Sequence, residues 1–272
     1  MEEQANVDDQ NISRRLKTLI RGLTQDDVTE MYKGYRALFE AGAAAIPQIR
    51  EALFKSKWSS VKYPNEIRYI AGLVTLVHDL DESESEKIRI ELRRNGCDPA
   101  LARILDSIGS FKLNDFINYD VCGVKIFEHK KLVTRQNVKR RLGQWLKSVP
   151  SEDLDQIERI YVLRKEDLEA LGSYAPVLFC INLAWDNPSP RWSPMSWVKN
   201  FEIESTLYHE IGHHVHRDTF GQDPDQEVDA ENYANRIMAN RSNRFLFRVA
   251  RLLKRAIEQA LAADGHLKGA TT

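Results

Sequence analysis

The sequence predicts an α+β protein, with an all-α first part followed by a part that mixes a small sheet with helices. Two observations carry this. Up to Phe111, apolar residues recur at helical spacing in SRRLKTLIRGL, VTEMYKGYRALFEAG, IPQIREALFK, EIRYIAGLVTLVHDL, SEKIRIELRR and PALARILDSIGSF. From Lys112 onward, short alternating or wholly apolar runs stand between turn residues, which is the pattern of strands. At 272 residues the chain can form two domains with separate cores, and the change of pattern divides it into 1–111 and 112–272.

In the first part, breaks fall at Gly42, Pro64, Asp79–Asp81 and Asn95–Pro99. The turns are short, so neighbouring helices are expected to run antiparallel. The stretch YRALFEAGAAAIPQIREALF, a helix, a Gly-containing turn and a Pro-started helix, resembles a HEAT-type repeat. That resemblance implies a HEAT-like domain whose concave face binds protein, either a substrate or a regulator. A plain helical bundle is the alternative.

In the second part, YDVCGVKIFEHKKLV reads as a hairpin with Gly123 at the turn or in a bulge. Thr134 to Leu146 reads as an amphipathic helix with Val138, Leu142, Trp145 and Leu146 on its apolar side. IERIYVLRK is a strand, and APVLFCINLA a second one, largely buried. A loop with Trp185, Trp192 and Trp197 follows, either packed or forming a wall of a site. The last long segment is a helix with a basic face of Arg241, Arg244, Arg248, Arg251, Lys254 and Arg255, read as solvated.

Bulk properties exclude several classes. With 39 basic and 40 acidic residues and a net charge of −1, the balance points away from nucleic acid and membranes. No apolar run approaches the roughly 20 residues of a membrane span. The start MEEQANVDDQNISRR lacks the character of a secretory signal. The three cysteines, Cys97, Cys122 and Cys180, are far apart, which predicts a reducing, cytoplasmic setting, with Cys180 a buried structural thiol.

The chemistry centres on STLYHEIGHHVHR, residues 205–217, read as a helix. Leu207, Ile211 and Val215 form its core stripe, Ser205 or Thr206 can cap it, and Gly221 follows its end. His209 and His213 lie on one face about 6 Å apart along the axis, so a cation between them can take both imidazoles. Glu210 stands about 100° round the helix, beside such a cation, where it can accept a proton from water as general base. Gly212 is expected on the exposed side, admitting substrate or a strand. His216 lies too far along the axis to share the ion, so His214 and His216 are expected at the helix end or rim. Glu227, in QEVDAENYANRIM, is the better third ligand and completes a His2Glu zinc site with an open position. Glu231, one turn on, could accept the free N–H of a ligating imidazole. Asp229 points nearly opposite Glu227.

The segment HEIGH followed by EVDAENYA resembles the gluzincin metallopeptidases, whose small members pair HExxH with an E-x-x-A-D-x-F-A pattern. Glu227, Ala230, Glu231, Tyr233 and Ala234 take those positions, with Glu231 where the family usually has Asp. The resemblance spans about Thr134 to Met238 and implies a zincin-like domain with a small sheet. It implies a zinc-dependent peptidase acting on protein or peptide, with Zn2+ bound by His209, His213 and Glu227. Glu210 would take the proton of water and pass it to the leaving amine. VLFCINLA would be the sheet edge that pairs with an extended peptide, and Tyr174, Tyr208 or Tyr233 the transition-state donor. Two rival readings are a HEAT-like protein-binding module with a catalytically silent zincin-like domain, and a zinc hydrolase of non-peptide amides.

Overall fold

The computed structural model describes residues 2–55, 64–132, 137–168, 170–185, 194–218 and 223–241. The chain is mixed α+β, as its pattern predicts: among the described residues, six helices, then a five-stranded sheet with a seventh helix between its second and third strands, then two more helices. It divides into two compact units, one of residues 1–116 with 175–180 and 217–221, the other of the remaining residues.

The first unit holds α1 (Glu2–Gln25), α2 (Val28–Ala41), α3 (Ile46–Lys55), α4 (Pro64–Leu80), α5 (Glu82–Arg94) and α6 (Pro99–Ser110). Side chains of aspartates start three of them. Asp27 accepts from the N–H of Glu30, Asp81 from those of Ser83 and Glu84, and Asp98 from that of Ala100. Asp26, in the left-handed region at φ 55°, ends α1. The apolar stripes meet in one core that includes Leu19, Leu23, Met31, Leu38, Ile49, Leu53, Leu73 and Val77. Val177 and Phe179, carried on the segment 175–180, belong to that core. Phe179 packs edge-on to Tyr32 at 4.7 Å. The segment read as HEAT-like has the expected order, α2, a 3-10 turn (Gly42–Ala45) and α3. α2 packs chiefly on α1, and α3 touches both α4 and α1.

The second unit is built on a sheet of order β1-β2-β3-β5-β4. β1 (Phe116–Val121) and β2 (Val124–His129) form the expected hairpin. Cys122 and Gly123 sit at its tip with φ 52° and 84°, as a two-residue turn between right-twisted strands requires. After α7 (Val138–Leu146), capped by Asn137, the chain enters β3 (Arg159–Arg164). β3 runs parallel to β2, with Ile126 opposite Ile160 and Glu128 opposite Val162. A helical crossover is what a parallel neighbour needs. β3 is buried on both faces, as expected of a central strand.

The run APVLFCINLA is not one strand. It contributes the end of β4 (Gly172–Ala175), a turn, and β5 (Cys180–Trp185). Phe179 has φ 48°, which bends the chain. β5 is therefore internal and β4 is the edge, the reverse of the expected edge strand. Cys180 is buried, and all three cysteines are free. Trp185 is also buried, stacked on Trp145 with ring centroids 5.5 Å apart, and is core rather than wall. The side chains of Trp192 and Trp197, and the basic face beyond Arg241, lie outside the described residues. No described helix is long and apolar enough to cross a membrane.

Candidate metal centre

The helix that carries HEIGH is α8 (Pro194–Val215), and it begins eleven residues before Ser205. Ser205 and Thr206 are interior and do not cap it. The apolar stripe runs back from Ile211 through Leu207 to Ile203, all buried, so the register continues past the Ser-Thr pair. The end is set before Gly221, by Arg217 at φ 59°.

α8 packs closely on α9 (Pro224–Arg241). Gly212 makes this closeness possible. A Cβ there would lie 2.8 Å from the Ala230 Cα and 3.0 Å from the Ala230 oxygen. Gly212 is thus buried against α9, not exposed to substrate as expected. Ala230 is three residues from Glu227, so the contact at Gly212 also sets how near Glu227 comes to the histidines.

His209 Nε2 and His213 Nε2 are 3.1 Å apart. Glu227 Oε2 is 3.3 Å from His209 Nε2, and Glu227 Oε1 is 3.7 Å from His213 Nε2. Among the described residues, this is the group whose donor atoms converge as a metal site requires, all within 4.8 Å. Four ligands at about 2.0–2.1 Å round a tetrahedral zinc stand about 3.3 Å from one another. The donors therefore fit such an ion. Burial and the neighbouring His213 hold the His209 pKa below the usual imidazole range, which leaves its ring neutral and able to ligate. The Glu227 side chain is half exposed, so the group is open on one side.

Glu210 is 6% exposed and turned to β4. The backbone N–H of Tyr174 donates to its carboxylate, and a Cβ on Gly172 would lie 2.8 Å from Glu210 Oε1. Burial, with the nearby Glu227 charge, pushes its pKa up to about 8, against the Tyr174 N–H. A divalent cation among the three donors acts in the opposite sense. Glu231 Oε2 lies 4.0 Å from His209 Nδ1, beyond hydrogen-bond reach, while its Oε1 accepts from Asn235 at 3.1 Å.

His216 is exposed past the end of α8, apart from the converging donors. His214 is not at the rim. It is 2% exposed, with Nε2 2.8 Å from the Asp155 carbonyl oxygen and Nδ1 3.1 Å from the Tyr174 hydroxyl. Its place four residues after Glu210 was the available signal. The tyrosines separate clearly. Tyr208 is fully buried, its hydroxyl 3.0 Å from the Trp145 oxygen and 3.1 Å from Glu204 Oε1. The Tyr233 hydroxyl donates to Asp153 at 2.7 Å. Tyr174, on the edge strand, is the one that lies beside Glu210. The ion pair of Arg241 with Glu204, which ties the end of α9 to α8, has no mark in the motif.

Two consequences can be measured. Glu227→Ala removes one of three donors, and zinc affinity is expected to fall by at least about 100-fold in a chelator-competition titration. Gly172→Ala drives a methyl into Thr206 and Glu210. It is expected to destabilise the fold by about 1–3 kcal/mol in urea, with zinc affinity retained because no donor atom is touched. Set against family models, curated proteins and solved structures, the chain matches none of them.

Proposed function

We propose that the protein is a zinc-dependent peptidase of the minimal gluzincin type. The observation that carries this is the convergence of His209, His213 and Glu227 at near-tetrahedral spacing, with Glu210 outside that group but close enough to feel the Glu227 charge. His209, His213 and Glu227 would hold the ion. Two imidazoles, one carboxylate and an open position are the donor set of catalytic zinc. Zinc, when bound, supplies a Lewis acid and makes water acidic near neutral pH.

The chain's own residues do the rest. Glu210 would take a proton from water and return it to a leaving amine. The Tyr174 N–H keeps its carboxylate in one orientation. β4, as an edge of the described sheet, is where an extended peptide substrate would add as a further strand. Glu231 would orient His209 after a small side-chain movement. The helical unit would recruit the protein substrate or a regulator.

The test is cleavage of a mixed library of unstructured peptides by the full-length protein, with and without zinc, with fragments mapped by mass spectrometry. Zinc-dependent cuts at defined sequence positions support the proposal. Zinc binding with no cut in any peptide overturns it and favours the silent protein-binding reading. Release of non-peptide amides alone favours the other rival.

A further inference from the structure

α8 presents two adjacent pairs at i,i+4 spacing. His209 and His213 face the candidate ion, and Glu210 and His214 face β4. The second pair meets a single residue. Tyr174 donates its backbone N–H to Glu210, and its hydroxyl lies 3.1 Å from His214 Nδ1. Its ring stands edge-on to the imidazole at 5.5 Å. We propose that His214 is a positioning residue which, through Tyr174, fixes the edge strand against α8 and so sets the carboxylate of Glu210.

The Asp155 carbonyl oxygen can only accept, so His214 Nε2 carries the proton at 2.8 Å. Nδ1, 3.1 Å away, pairs with the Tyr174 hydroxyl, which can donate to a bare Nδ1 or accept from a protonated one. The anchor itself is firm. Asp155 directly follows the 3-10 turn Ser151–Leu154, and Asp153 in that turn accepts from Tyr233 of α9. One loop therefore holds His214 on α8 and Tyr233 on α9. Among the described residues β4 pairs with a strand on one side only, so its side-chain bonds to α8 help to fix it. A shift of β4 would carry the Tyr174 N–H away from Glu210. The need for a set carboxylate rests on the peptidase reading, whereas the fixing of the strand does not.

The test compares His214→Phe, His214→Gln and Tyr174→Phe with wild type, all full-length and zinc-loaded. Amide hydrogen exchange is followed at residues 172–174 and at 160–162 in β3, with kcat and KM on a peptide that wild type cleaves. In His214→Phe, exchange at 172–174 is expected to quicken about tenfold or more while β3 is unchanged. kcat should fall about 10–100-fold with KM within about threefold. Gln keeps an N–H for Asp155 and an oxygen for Tyr174, so His214→Gln should recover most of both. Tyr174→Phe removes one oxygen, should match His214→Phe, and serves if that variant fails to fold. Unchanged exchange at 172–174, equal quickening in β3, or no recovery by Gln each overturns the proposal. If wild type cleaves no peptide, the peptidase reading falls, and the exchange data still decide whether His214 fixes the strand.

Discussion

Glu210→Gln is expected to lower peptide hydrolysis about 100- to 10,000-fold, the usual worth of a general base. Zinc affinity should stay within about threefold, since Glu210 faces β4 and lies outside the converging donor group. The amide keeps an oxygen for the Tyr174 N–H, so the strand stays in place. It also removes a carboxylate that is costly to bury, so the apo variant should unfold at the same urea concentration as wild type or higher. Steady-state kinetics, chelator competition and urea unfolding read the three quantities. Loss of zinc from this variant would mean that Glu210 ligates the ion and that the roles given to Glu210 and Glu227 are wrong.

Gly212→Val should be nearly as damaging by a different route. Its Cβ would meet the backbone of Ala230, which cannot swing aside as a side chain can. α9 must move, and Glu227 moves with it. We expect about 1–3 kcal/mol of lost stability from overpacking and zinc binding weakened about 10- to 100-fold. Gly143→Ala on α7 is the control. Among the described residues its Cβ would meet only Val121 Cγ1, at 3.7 Å, and alanine favours the helix by about 1 kcal/mol. Unchanged zinc affinity in Gly212→Val would show that the close crossing does not set Glu227.

The helical first part, the hairpin, β3 and the two helices of the donor group were legible because each follows from local spacing. So was the meeting of Glu227 with the histidines, since its order after HEIGH brings the second helix back along the first. What was hidden depends on partners distant in sequence. APVLFCINLA is apolar throughout, so nothing local separates a buried strand from a turn. Val177 and Phe179 are apolar because they fill the core of the helical unit. Ser205 and Thr206 carry the signature of a cap, but the stripe through Ile203 and Leu207 overrides it. His214 looks like a helix-end residue until the loop at Asp155 covers it. Gly212 gives no sign in sequence of which neighbour needs its missing side chain.

The donors of the candidate metal centre lie between His209 and Glu227, on consecutive helices. Little chain must be closed into a loop to gather them, so the pair of helices can come together early and with small entropic cost. β4 and the loop at Asp155 reach the same helix from much further back in the sequence. Capture of an ion and readiness for chemistry are therefore separable events in the life of the chain. On the proposed reading, a partly folded or damaged molecule would hold zinc while its edge strand is still unplaced, and metal content alone would overcount competent molecules.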